Sequence, residues 1–193
     1  MDAGRMEAFS DGVIAIIITI MVLDLRPPVS GEPSALLALW PVLLSYALSF
    51  VLVAIYWVNH HHLLQAARRV GPTTLWLNLH LLFWLSLFPF ATAYLGAMRG
   101  TAFPIAVYAG LSEVVAFAYL LLARDLTRRN FDAQQIAGPA RRHQFKNFAA
   151  MLATGAAIPV VYLSRPLALI LLAAPAAAYF IPDVPAPPPR FPK

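Results

Sequence analysis

Cysteine is missing from this 193-residue chain, and charge is scarce. Without cysteine there are no disulfides, thiolate metal sites or thiol catalysis, and nothing follows about compartment. Only 12% of the residues are Asp, Glu, Lys or Arg, against roughly 25% in a typical soluble domain. Hydrophobic residues make up 60% and the mean hydropathy is +0.69. A chain this short cannot hide that much apolar surface in one water-exposed core. A soluble globular protein is therefore excluded, and so is disorder outside the tail. The net charge of +5 does not point to nucleic acid, because apolar runs interrupt the sparse charges. No Ser/His or paired-carboxylate arrangement shares an apolar run, and no His-Glu-x-x-His motif occurs, so the chain does not read as an enzyme. What remains is an integral membrane protein.

Crossing roughly 30 Å of hydrocarbon takes about 20 mostly apolar residues. Six segments qualify, at 9–25, 35–64, 73–98, 103–123, 145–163 and 166–181. The fold class expected is all-α, a polytopic protein with six transmembrane helices. Residues 1–181 form the membrane domain, and 182–193 form a Pro-rich tail that cannot continue a helix. Pro41, Pro89, Pro159 and Pro175 fall inside spans and predict kinks. Residues 125–142 read as a polar cytoplasmic loop that touches anionic headgroups. Six spans place eleven of the fourteen basic residues on one side, and only Arg26, Arg99 and Arg165 on the other. That bias puts both termini in the cytoplasm of a multi-pass cell-membrane protein. The first run lacks a small-residue cleavage site and reads as a retained span, not a signal peptide.

The first span is unusual. Twelve residues separate Asp11 from Asp24, and as a helix they cover about 18 Å, short of the hydrocarbon thickness. Charged groups at that depth face protein or water. Gly12, Ile16, Thr19 and Leu23 fall within about 60° of one another on the helix, and Asp11 points roughly 100° away. From the residues alone, this stripe is a plain packing face with a Thr bonded back to its own helix, or a path lined by the helix.

The segment Arg5-Met6-Glu7-Ala8-Phe9-Ser10-Asp11 has the form Arg-x-x-x-Phe-Ser-Asp. It resembles the signature of the endosomal and lysosomal potassium channel family (transmembrane protein 175) and its bacterial relatives. The run Gly12–Leu25, Trp57-Val58-Asn59-His60-His61, Asn78 and Phe88-Pro89-Phe90 are similar to that family as well. The resemblance extends over all six spans, with its specific motifs in the first three. It implies one six-helix repeat per chain, a homotetramer of bacterial type, and a first helix lining a central pore. It further implies a hydrophobic constriction at Ile16, potassium preference at Thr19, and Leu23 as the next apolar layer. Potassium and other monovalent cations, the lipid bilayer and further copies of the chain are then the partners, with no cofactor beyond the permeant ion. Proton conduction by some family members leaves the permeant ion partly open.

Four Ile16 side chains around an axis make a dry ring that stops ions by dewetting. Thr19 hydroxyls supply acceptor oxygens to a partly dehydrated cation. The carbonyl-lined filter of ordinary potassium channels is absent, so modest selectivity is expected. Asp11 needs donors, and Arg5, Asn59, His60, His61 and Asn78 are candidates on the same side; Ser10 either joins that network or caps the helix. His60, His61 and His62 are consecutive and point about 100° apart, so they do not wrap one metal. His80 has no ligand partner at i+4, and no metal site is expected. Glu113 lies inside the fourth span as a proton-linked group, a packing contact or part of a side opening. The tryptophans Trp40, Trp57, Trp76 and Trp84 read as interfacial belts. The rival reading is a proton-coupled or cation secondary transporter, which needs broken helices and a midplane site.

Overall fold

The computed structural model describes residues 3–67, 69–130 and 139–179. The Pro-rich tail lies outside them. Among the described residues eight helices run in the order α1 (Ala3–Leu23), α2 (Pro33–Leu37), α3 (Trp40–Gln65), α4 (Pro72–Leu85), α5 (Phe88–Ala97), α6 (Ala102–Asn130), α7 (Pro139–Val160) and α8 (Arg165–Tyr179). Among the described residues there is no strand.

Proline explains several boundaries, because it lacks an N–H and fits only the first turn of an unbroken helix. Pro41 sits in the first turn of α3 and starts that helix, where the sequence predicted a kink. Pro89 sits in the first turn of α5, so the third apolar span divides into α4 and α5 around Ser86 and Leu87. Pro159 and Pro175 are inside α7 and α8, as expected. The turn into α6 passes through Arg99 and Gly100 at positive φ.

Among the described residues four apolar stretches are long enough to cross a membrane: α1, α3, α4 with α5, and α6. The last two expected spans correspond to α7 and α8, whose described apolar parts are Phe148–Val160 and Arg165–Tyr179. Three boundaries are corrected. α7 begins at Pro139, six residues before the predicted start at 145, so Arg141 and Arg142 stand on a helix and not in a loop. The first helix begins at Ala3, six residues before the predicted start, so its 21 residues measure about 31 Å and carry Arg5, Glu7 and Asp11 within the helix. The fourth helix continues to Asn130, so the basic residues Arg124, Arg128 and Arg129 stand on its end and not in a loop. Asp125 and Arg129 pair there at i,i+4, with Nε to Oδ2 at 2.9 Å. Thr74 Oγ1 donates to Asp125 Oδ2 at 2.6 Å, and Asn130 Oδ1 accepts from the Arg69 amide, docking the α3–α4 connection onto α6.

α1 packs against α3, α4 and α5; α6 packs against α4, α5 and α7; α8 packs against α7, α3 and α6. Inside the bundle Tyr108 and Phe88 meet edge to face with centroids 5.7 Å apart. The Tyr108 hydroxyl is 2.9 Å from Ser49 Oγ, and Thr92 Oγ1 donates at 2.6 Å toward the Phe88 carbonyl and Ser49 Oγ. These hydroxyls satisfy one another where no water is needed. α3 and α5 approach closely at Gly96, where a Cβ would lie 2.7 Å from Ser45 Oγ and 3.0 Å from Val42 Cα.

Candidate functional site: the first helix and its anchors

α1 has two faces. Met6, Ser10, Ile14, Ile17 and Met21 are buried against the bundle. Gly12, Ile16, Thr19 and Leu23 are exposed in the protomer and lie about 150° around the helix from that set. Ile16 is 58% and Leu23 76% exposed, against 4% for Ile17. A helix packing through both faces would not show this division. An apolar hollow of about 370 Å³ adjoins the stripe, with Ile16, Ile20, Pro89 and Phe90 among its walls. Thr19 Oγ1 donates to the Ile16 carbonyl at 2.9 Å. The hydroxyl proton is spent within the helix, as the plain reading had it, and the oxygen's lone pairs remain as acceptors on the exposed face.

The other side of the motif is anchored twice. Ser10 Oγ donates to the Met6 carbonyl at 2.8 Å and accepts from Asn78 Nδ2 at 2.9 Å. Asn78 Oδ1 is 2.7 Å from His60 Nε2, which makes that nitrogen the donor. All three side chains are buried, and the chain of bonds joins α1, α4 and α3. Asp11 is held separately, by Trp57 Nε1 donating to Oδ1 at 2.8 Å. Trp57 also stacks on His61, with centroids 5.8 Å apart at 24°. His61 Nδ1 in turn lies 2.7 Å from Glu7 Oε1.

Among the described residues none of the donors expected for Asp11 bonds it, and the polar groups are wired otherwise. Ser10 is two turns inside α1 and caps nothing. His60 and Asn78 serve Ser10, not Asp11. His61 faces Glu7, which the sequence reading passed over. Arg5 and Phe9 are exposed, and no bond joins Arg5 to Asp11 among the described residues. Asn59 accepts from two tyrosines, through its carbonyl from Tyr119 and through Oδ1 from Tyr179. The donor to Asp11 is Trp57, read from sequence both as a partner in the family motif and as an interfacial residue, but not as a donor to Asp11. Its place beside the His run at the end of α3 was the available signal. Glu113 packs against α7, its carboxyl carbon 3.6 Å from where a Gly155 Cβ would stand.

A family model described as the endosomal/lysosomal potassium channel TMEM175 matches residues 5–89, which contain the exposed stripe and both anchors. The chain is 43% identical over 153 residues to a potassium channel of Chryseobacterium sp. (strain P1-3), covering 79% of each protein. It is 34% identical over 196 aligned positions to a potassium channel of Streptomyces collinus, covering 96% of this chain and 95% of that one. Among solved structures, the crystal structure of a lysosomal potassium-selective channel TMEM175 homolog from Chamaesiphon minutus superposes with a TM-score of 0.78 at 28% identity. That match covers 92% of this chain and 95% of the other.

Proposed function

The chain belongs to the endosomal/lysosomal potassium channel TMEM175 family, and on that premise we propose that it is a potassium-permeable cation channel of the cell membrane. In this reading four copies surround a pore lined by α1. Ile16 and Leu23 form its hydrophobic constriction, and Thr19 supplies a modest preference for potassium. Ser10 and Asp11, with Trp57, His60, His61 and Asn78, hold the pore helix to its scaffold, whereas Arg5 and Phe9 are exposed and Asn59 joins α3 to α6 and α8. The basic excess of one side places both termini in the cytoplasm.

One observation carries the reading: the apolar stripe of α1 faces away from the protomer core, with Ile16 and Leu23 largely uncovered. Thr19 keeps acceptor capacity on that face beyond the bond its hydroxyl donates to the Ile16 carbonyl. Turned toward a shared axis, it supplies a dry ring and a ring of hydroxyl oxygens in succession, about one helical turn or 5 Å apart. Potassium sheds its water more easily than sodium, so hydroxyl compensation favours it slightly.

The deciding experiment is potassium flux and bi-ionic reversal potential in liposomes. Ile16→Asn is expected to wet the ring and raise flux. Thr19→Ala is expected to lower the potassium-to-sodium preference while flux persists. An unchanged preference in Thr19→Ala removes the selectivity role. Saturating, low-turnover flux without single-channel steps would return the chain to the secondary-transporter reading.

A further inference from the structure

Two carboxylates and an imidazole converge between α1 and α3, away from the stripe. Glu7 and Asp11 are four residues apart on α1, which puts their side chains on one face. His61 reaches them from α3. One ligand atom of each lies within 4.8 Å of both others, and all three residues are half-buried. Glu7 Oε1 and His61 Nδ1 are 2.7 Å apart, yet His61 Nδ1 is shut off from solvent and takes part in no well-formed hydrogen bond. Two carboxylates therefore flank one imidazole nitrogen, with no Lys or Arg paired to either among the described residues.

Trp57 holds two of the three groups in place. Its Nε1 donates to Asp11 Oδ1, which leaves Oδ2 available, and its ring stacks on His61. Such outer contacts orient metal ligands in proteins. We propose that Glu7, Asp11 and His61 form a binding site for a divalent transition-metal ion of the zinc class, with water completing the shell. Imidazole nitrogen and carboxylate oxygen are both zinc ligands, and an open site takes three protein ligands with water in the fourth position. Calcium and magnesium instead favour six or more oxygens. Bonds of about 2.1 Å in a tetrahedral shell place ligand atoms about 3.4 Å apart. Glu7 Oε1 and His61 Nδ1 are 2.7 Å apart and all three ligand atoms lie within 4.8 Å of one another, a spacing that brackets this value. Consecutive histidines on one helix did not reveal it, because its ligands come from two helices. A bound ion would fasten the first turns of α1 to the end of α3.

The test is calorimetric titration of Zn2+ into the tag-free full-length protein in detergent, stripped beforehand with chelator, with Co2+ absorption as a second readout. Saturable micromolar binding is expected, with a visible Co2+ band of tetrahedral type. Glu7→Gln and His61→Gln should each weaken binding by at least about tenfold, and Trp57→Phe should weaken it less. His62→Gln, at the exposed neighbouring histidine, should leave it unchanged. Elution volume and circular dichroism report folding of each variant. Should His61→Gln fail to fold, Glu7→Gln decides, since the Glu7 carboxylate's recorded partner is His61. The absence of saturable binding overturns the proposal, and so does wild-type affinity in a folded Glu7→Gln protein.

Discussion

Trp57 Nε1 donates a 2.8 Å hydrogen bond to Asp11 Oδ1 and so joins α3 to the helix that carries the exposed stripe. The bond gives an anionic group near the membrane boundary a donor whose body is apolar, which suits a site between water and lipid. It also fixes the rotation of α1, because Asp11 lies about 100° from the stripe. Holding Asp11 against α3 leaves Ile16, Thr19 and Leu23 turned outward.

Replacing Trp57 by Phe keeps an aromatic ring over His61 and removes the donor. The expected loss is about 1–2 kcal/mol, the lower part of the range for a hydrogen bond to a charged group, since the pair is partly solvated. Asp11→Ala should lower yield and the recovery of assembled protein more than it lowers flux per assembled channel. Thermal melts and elution profiles of detergent-solubilised protein, recorded in chelator, measure both effects. Wild-type melting and assembly of Asp11→Ala would deny Asp11 an anchoring role.

The Ser10–Asn78–His60 chain makes a different prediction, because all three side chains are buried. Asn78→Leu leaves the His60 Nε2 proton without its acceptor, at a cost of about 1–3 kcal/mol. The double variant Asn78→Leu, His60→Leu removes both members of that bond and should recover part of the loss, since replacing both partners by apolar groups approaches neutrality. Ser10 tolerates the change better because its proton already goes to the Met6 carbonyl. A double variant less stable than the sum of its singles would contradict this account.

The stripe was legible in the sequence because a helical wheel needs only local periodicity, and Gly12, Ile16, Thr19 and Leu23 are spaced for one face. The membrane class was legible for the same kind of reason, since composition is additive. The partners of Ser10 and Asp11 were not, because Asn78 and Trp57 arrive from other helices and no local pattern ranks polar groups at such separation. The motif narrowed the field to the correct cluster without giving its pairing. The extension of α6 to Asn130 was missed because charge was read as loop. Arg, Leu and Ala are good helix formers, and the Asp125–Arg129 pair marks a helical spacing that the wide basic stretch disguised.

Ile16 and Ile17 are neighbours in sequence and opposites in the fold, which gives a sharp paired test. Ile17 is 4% exposed. Ile17→Asn buries an amide without a partner, at a cost of about 1–3 kcal/mol on protein mutational scales, plus the lost apolar packing. Ile16→Asn should leave protomer stability nearly unchanged and raise potassium flux. Melting temperature and liposome flux, measured on both variants, separate the two outcomes. Equal destabilisation by the two substitutions would mean that the Ile16 face is not lined up along a conduction path.

Gly96 and Gly12 complete the comparison between packed and unpacked surfaces. A Cβ at Gly96 would stand 2.7 Å from Ser45 Oγ and 3.0 Å from Val42 Cα. Ser45 can rotate away, but the Val42 backbone moves only with α3. Gly96→Ala should therefore cost about 1–3 kcal/mol through overpacking. At Gly12 a Cβ meets nothing within 4 Å in the protomer. Gly12→Ala gains up to about 1 kcal/mol of helix propensity and should not destabilise the protomer fold. If four copies bring α1 to a common axis, the added methyl meets a neighbouring copy, and the effect appears in assembly or flux alone. Melts, particle symmetry and flux on Gly12→Ala distinguish these outcomes. Reduced flux or altered assembly in a variant with an unimpaired protomer is the expected result, and unchanged assembly together with unchanged flux would place Gly12 outside the contact between copies.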